Sequence, residues 1–409
     1  MKTKVIEKQH NAWFALTVLL FVLAATCSAS AQYTLDNTYS DWTGYNSYFL
    51  FSDNNTAHPG KFFAQHRGNT NPTISGFWEE AEEIELAVDA YYWSVNNYPT
   101  HDHSAYVNEI NSLCTGFENH NGNDWSANAF NDDLAWAIIA FTRAYQVTGT
   151  AAQLADAETN FTTVWTRAQA GNGGLIQSQP HGTSWAPNLD SPVNFGFVIA
   201  GYLLYNNTST TSYKTHADTV YSWAMANLYA TTVDGGVCTG HTSLTCSKIY
   251  DSNNTGPFPN YPTYAGTGIG ASDFTYNYGI AIQSTTREGD SAKAQNIANW
   301  LMYNSNNPNY PYVGTYNGYE ILPNYGQNGV NDAGYNGIAL RGVGFGYSRG
   351  ALNATTLAWA QANVSAAWNN RNSDDVIWND WKPGDTTTGT EYSWDCSAAL
   401  AGMLDIPPP

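Results

Sequence analysis

Asp132 and Asp133 stand side by side ahead of an unbroken apolar run, Leu134-Ala135-Trp136-Ala137-Ile138-Ile139-Ala140-Phe141. Two adjacent carboxyl groups have several uses. They can cap a helix and answer its dipole. They can also divide a nucleophile's and a proton donor's work, since like charges so close cannot both ionise cheaply. The run that follows is apolar all round, which reads as a helix buried on every side. Asn131 or Asp132 can cap its first turn, and Gly149 can end it. Taken alone, the dipeptide reads as cap chemistry, and the rest of the chain must decide.

Other constellations compete. Glu79 to Asp89 places five carboxylates over its first seven positions, a pattern expected of a solvated helix face, with Glu79 a fallback acid. Asp374-Asp375 follows a helix and reads as a solvated turn. His101-Asp102-His103 invites a metal but has no third convergent ligand, so Asp102 is expected to cap the helix from Ser104. Gly342-Val343-Gly344-Phe345-Gly346 neither follows a strand nor precedes a lysine, which excludes a phosphate loop. No metal or organic cofactor is expected.

The elements that must position these groups are helical. Apolar, nearly continuous segments begin near 76, 131, 192, 275, 333 and 394, at steps of 55, 61, 83, 58 and 61 residues. Between them lie amphipathic segments such as Ala151 to Ala170 and Thr211 to Ala230; a short one is expected from Ser104 to Cys114. Six units of an inner and an outer helix predict an all-α fold, an (α/α)6 barrel of six helical hairpins. Residues 231–272, rich in Gly, Asn and Pro, account for the long step. Inner helices point their amino ends at one mouth. Asp132 and Asp133 would sit there with Trp78, Asn194-Phe195, Tyr276-Asn277 and Tyr335-Asn336. Rings that stack on a pyranose and amides that bind its hydroxyls suit a sugar site.

Composition sets the compartment. The chain has 409 residues, 43% hydrophobic and only 12% charged, with a formal charge of −19. Lys2, Lys4 and Lys8, an apolar run from Ala12 to Ala25, and Ala29-Ser30-Ala31 predict a signal peptide over 1–31 and one catalytic domain over 32–409. Cleavage removes three Lys and one Glu, taking the charge to −21. Such acidity excludes nucleic acid and anionic lipid as partners. A secreted monomer without stable membrane insertion is expected. Cys27 leaves with the signal. Cys114, Cys238, Cys246 and Cys396 remain, with Cys238–Cys246 and then Cys114–Cys396 the expected disulfides. Asn-x-Ser/Thr sequons at Asn54, Asn160, Asn206, Asn207, Asn253, Asn353 and Asn363 fit a glycoprotein.

Over essentially the whole mature chain the sequence resembles glycoside hydrolase family 76, the endo-α-1,6-mannanases. The residues that carry the resemblance are Asn131-Asp132-Asp133-Leu134-Ala135-Trp136 and Arg143-Ala144-Tyr145-Gln146-Val147-Thr148-Gly149. Gly173-Gly174-Leu175-Ile176, Asn194-Phe195-Gly196-Phe197, Thr275-Tyr276-Asn277-Tyr278-Gly279, Asp332 through Tyr335-Asn336-Gly337-Ile338 to Arg341, and Ser397-Ala398-Ala399 support it. The resemblance implies retaining cleavage of α-1,6-mannan, with Asp132 as nucleophile and Asp133 as acid/base. It reverses the reading of the pair as mere cap chemistry. Asn131, Trp136, Trp78, Asn194, Phe195, Tyr276 and Asn277 are the expected substrate contacts. The cysteine-bearing insertion is longer than the family pattern. Two alternatives stay open: a cell-wall mannan transglycosylase, and a non-catalytic mannan-binding protein.

Overall fold

A computed structural model describes residues 32–67, 72–178, 188–230, 236–253, 274–303, 311–325, 332–385 and 391–409. The expected signal segment 1–31 with Cys27, and most of the 231–272 insertion, lie outside them. The described residues hold α1 (Leu35–Phe49), α2 (Phe77–Asn97), α3 (Ser104–Asn121), α4 (Asn131–Thr148), α5 (Ala151–Arg167), α6 (Ser191–Thr208), α7 (Thr211–Asn227), α8 (Thr275–Arg287), α9 (Ser291–Tyr303), α10 (Tyr335–Ser348), α11 (Ala354–Asn369) and α12 (Ser393–Asp405).

The even-numbered helices form a ring: α2 packs on α4, α4 on α6, α6 on α8, α8 on α10, α10 on α12, and α12 back on α2. The odd-numbered helices lie outside them. This is the predicted all-α barrel, and its cause is visible in the burial. In α6 every residue from Ser191 to Leu204 is buried, whereas in α5 the buried set is Gln153, Ala157, Asn160, Phe161 and Val164, one stripe. Inner helices approach closely where side chains vanish: a Cβ on Gly342 would lie 2.2 Å from the Gly279 carbonyl oxygen. The Gly-rich run 342–346 is therefore helix-packing surface within α10. Short antiparallel pairs decorate the ring, β1 (Leu50–Ser52) with β2 (Lys61–Phe63) and β4 (Gly236–Cys238) with β5 (His241–Cys246) among them.

Helix α3 runs seven residues beyond the expected end at Cys114. Thr115-Gly116 looks like a stop, but Gly116 lies under the β2 backbone, where a Cβ would fall 2.0 Å from the Lys61 carbonyl oxygen.

Three expectations are corrected. The Glu79–Asp89 ladder is no solvated face: Glu79, Glu80, Glu82, Glu83, Glu85 and Asp89 are all buried. Arg143 pairs with Glu85 and Asp89, Arg341 pairs with Glu82 and with Asp89 at 2.6 Å, and His120 meets Glu80 at 3.0 Å. Cys238–Cys246 is formed, but Cys114 and Cys396 are free buried thiols in different surroundings. Cys114 feels Glu118 and Asp156, and Cys396 feels Asp395, Glu391 and Asp41. Ring closure is done instead by hydrogen bonds from α1 and the residues before it to α12 and its exit: Tyr33 Oη to the Ile406 carbonyl at 2.6 Å and Tyr45 Oη to the Ser393 carbonyl at 3.2 Å. Third, Asn160 and Asn363 are fully buried with their amide nitrogens given to backbone carbonyls, so neither can carry a glycan in the fold.

Candidate active site

Trp78, Asp132, Asp133, Trp136, Pro192, Tyr276 and Tyr335 each stand in or near the first turn of an inner helix, and together they line one cavity of about 300 Å³ with Phe130 and Gln177. The ring thus gathers five helix amino ends at a single mouth. Tyr276 and Tyr335 lie 4.1 Å apart between centroids, and Trp78 leans toward Trp136 at 6.2 Å and Tyr335 at 6.3 Å. The result is an aromatic wall facing two acids.

The acids sit on α4, whose N-cap is Phe130 with no side-chain cap bond. The expected capping by Asn131 or Asp132 is therefore absent; Asn131 is already the first helical residue. Its buried amide donates to the Ile176 carbonyl at 2.6 Å and accepts from Arg167 Nε at 2.7 Å. Arg167 also donates to the Ser126 and Asn128 carbonyls, each at 2.8 Å. This clamp fixes both loops that hold the acids. Gln177 Nε2 donates to Asp132 Oδ2 at 3.2 Å, and Asn128 Nδ2 donates to Asp133 Oδ2 at 2.9 Å. Asp132 Oδ1 is enclosed and has no hydrogen-bond partner among the described residues.

The two carboxyls differ in their electrostatics. Burial pushes Asp132 up to about 6, opposed by Gln177 and by the backbone N–H groups of the helix start; Asp251 pushes the same way as burial. Burial, then the charge of Asp132, pushes Asp133 up to about 8, opposed by Asn128; Glu79 adds a smaller push upward. A raised acid beside a lower one is the arrangement that leaves one proton on the pair near neutrality. Glu79 itself takes the Gly76 N–H of its own helix start at 2.9 Å and is buried.

Several expected substrate contacts are corrected. Trp78, Trp136 and Tyr276 line the cavity, whereas Asn131, Asn194, Phe195 and Asn277 are fully buried and do not. Asn194 clamps Leu175 from both sides, accepting its N–H at 2.9 Å and donating to its carbonyl at 3.0 Å. Asn277 donates to Asp251 Oδ1 at 2.9 Å. Amides so placed position the rim, and the one amide oxygen of this set without a partner among the described residues, Asn277 Oδ1, is enclosed and off the cavity lining.

The structure adds groups the sequence did not single out. Asp190 caps α6 through the Val193 N–H at 3.3 Å. Asp251, from the described end of the insertion, is pushed up to about 6 by burial. A short pairing of β3 (Leu189–Asp190) with β6 (Ser252–Asn253) brings these two acids together; Asp251 pushes Asp132 up, and Asp132 and Asp251 in turn push Asp190 up after burial. Asp-Ser-Pro at a helix start was a legible cap signal for Asp190; nothing local marks Asp251 or Gln177. The N-cap of α3 is His103, and Asp102, one residue earlier, accepts the Ser104 N–H at 2.9 Å. Asp374 and Asp375 are exposed, paired with Arg67 and Arg371. Among the described residues no group of three or more His, Cys, Asp or Glu could hold a metal ion, and no helix is long and apolar enough to cross a membrane.

No protein-family model matches the sequence, and no curated protein does. Solved structures do share the fold. The GH76A α-1,6-mannanase from Salegentibacter sp. HEL1_6 superposes with a TM-score of 0.70 at 18% identity, over 91% of this chain and 98% of that one. An inactive variant of that enzyme, with two consecutive aspartates replaced by asparagine, holds α-1,6-mannotriose (TM-score 0.69, 17% identity, 91% and 98% coverage). Dfg5 from Chaetomium thermophilum in complex with glucosamine is similar at a TM-score of 0.58 and 14% identity, over 91% of each chain. At these identities the likeness establishes the barrel.

Proposed function

We propose that the chain is a family 76 glycoside hydrolase, a secreted enzyme of residues 32–409 that cleaves α-1,6-mannosidic linkages within mannan backbones with retention of configuration. The observation that carries this reading is the pair Asp132–Asp133, adjacent, half-buried and without a cation, on the floor of an aromatic cavity. The fold neighbour that loses activity with two consecutive aspartates and holds α-1,6-mannotriose supports the substrate class.

Retention needs two carboxyls roughly 5–5.5 Å apart. Asp132 lines the cavity and is the lower of the two acids, hence the more readily charged, which suits an attacking carboxylate. It forms a bond to C1 as the C1–O bond to the departing mannosyl oxygen breaks, and Asp133 gives that oxygen its proton. Asp133 then takes a proton from water, whose oxygen attacks C1 and frees Asp132. Two inversions return the α-anomer. The nearby acid Asp251, kept off the cavity lining, raises the cost of charge on Asp132 and favours its passage to the neutral ester.

Proton NMR of the first products from unbranched α-1,6-mannan tests the reading. The α-anomer is expected. Initial β-anomer would require carboxyls roughly 6.5–9.5 Å apart and would shift the acid to a more distant group such as Glu79. Transfer to a sugar hydroxyl in place of water shares the first displacement and is the second reading. Products longer than the substrate, formed when acceptor oligosaccharide is added, would mark it.

A further inference from the structure

The opposite mouth of the barrel, where the inner helices end, holds a second cavity, larger than the first at about 630 Å³. Arg143, Arg287, Arg341 and Arg349 all line it. The whole chain has only 15 Lys and Arg against 34 Asp and Glu, so four arginines in one cavity are a concentration that composition does not supply.

The four are not alike. Arg143 and Arg341 are spent on the acidic ladder of α2, through Glu82, Glu85 and Asp89. Arg287 and Arg349 have no ion pair among the described residues. Both lie against the Phe345 ring, at 4.4 and 5.5 Å from its centroid. Arg287 Nε is enclosed and lacks an acceptor among the described residues. Burial, then the charges of Arg143 and Arg349, pull its guanidinium down to about 9. The last acid of the cavity, Asp405, reaches only 3.9 Å from Arg341 and is pushed well up by burial, so it does not answer the second pair of arginines.

Six helix carboxyl ends at this mouth attract cations, and that accounts for arginines being here. It does not account for a guanidinium nitrogen left without an acceptor, because a dipole partner would be a carbonyl within reach. A guanidinium with an enclosed, unpaired Nε, repelled by two others, is stabilised by a bound oxyanion, to which its fork donates bidentately. Beyond the arginines the cavity presents Tyr92, Asn96, Gln146 and Gln283, a phenol and amides suited to hydroxyls.

We propose that this cavity is a second binding site, separate from the aspartate pair, for a small anionic saccharide whose phosphate or carboxylate seats between Arg287 and Arg349. The test is calorimetric titration of the full mature chain with mannose 6-phosphate, glucuronate, mannose and inorganic phosphate. None of these probes is an α-1,6-mannoside, so the result does not depend on the mannanase reading. One of the two anionic sugars is expected to bind at least tenfold more tightly than mannose and than inorganic phosphate, and which one identifies the anionic group. Arg287→Gln is expected to weaken that binding at least tenfold. Arg349→Gln, at an exposed position where folding is not at risk, is expected to weaken it several-fold. No binding by either anionic sugar, equal binding of mannose or of inorganic phosphate, or unchanged affinity in both variants would overturn the proposal.

Discussion

Two sets of carboxylates, one buried and one half-buried, lie along the inside of the ring, and they are treated in opposite ways. Most of the ladder on α2 is answered: Glu82, Glu85 and Asp89 meet Arg143 and Arg341, and Glu80 meets His120, while Glu79 and Glu83, away from those cations, take neutral donors. Asp132 and Asp133 on α4 have no cation among the described residues, and the side chains that donate to them, Gln177 and Asn128, are neutral amides. Placing a charge out of water is costly unless a partner repays it. A pair left unanswered beside a cavity is therefore a reactive pair, and an answered set is scaffold. The difference separates chemistry from structure better than the count of acids does, since the ladder has more of them.

The largest effect should come from the unanswered set. Asp132→Asn and Asp133→Asn are each expected to lower turnover of unbranched α-1,6-mannan by several orders of magnitude, as for groups that act as a unit. Binding of mannan oligosaccharide and the melting transition should persist. Near-wild-type turnover in either variant would remove the distinction between the two sets.

Next comes the answered set. Arg341→Met leaves Glu82 and Asp89 buried without one of their cations. The expected cost is about 3–5 kcal/mol of stability, read from denaturant midpoints. A loss below about 1 kcal/mol, the range of exposed pairs, would mean that the ladder is held by other forces. A smaller covalent contribution can be measured beside it. Cys238–Cys246 closes a loop with a sequence separation of 8, and its reduction should cost about 2.5 kcal/mol in the chain-entropy model. Thiol counting on the unreduced mature chain should find two reactive groups in denaturant and none before unfolding, because Cys114 and Cys396 are buried. No thiol in denaturant would revive the second disulfide.

The barrel was legible because its cause is local. Runs such as Phe195 to Leu204 are apolar at every position, and only an inner helix can use them. The aspartate pair was legible by type and neighbourhood. The ladder was misread because five acids in seven positions have the pattern of a wet face, while the cations that bury them arrive from Arg143 and Arg341, 54 to 259 residues away. The rim amides were misread for a related reason. Asn194 and Asn277 stand at the right helix starts, but Asn194 is consumed in clamping the Leu175 backbone and Asn277 in holding the Asp251 carboxylate. Asp251 could not be foreseen, since a two-residue strand pairing of loop with loop brings it in.

The subtlest consequence of leaving a pair unanswered is a stability cost that varies with pH. Asp133 is raised to about 8 from an ordinary value of 3.8, chiefly by burial. Between those values the folded chain holds a proton on Asp133 that the unfolded chain has lost, so stability falls as pH rises through the interval. Asp133→Asn cannot ionise and escapes that fall. The variant should melt a few degrees above the wild type at pH 7–8, a gain on the order of 1–2 kcal/mol, and the gap should close toward pH 4. The same two titrations bound the rate: activity needs Asp132 charged and Asp133 protonated, so kcat/KM should rise through about 6 and fall through about 8. If melting curves of variant and wild type stay parallel from pH 4 to 8, Asp133 carries no raised proton. The pair would then be ordinary surface acids, and the contrast with the ladder would lose its energetic basis.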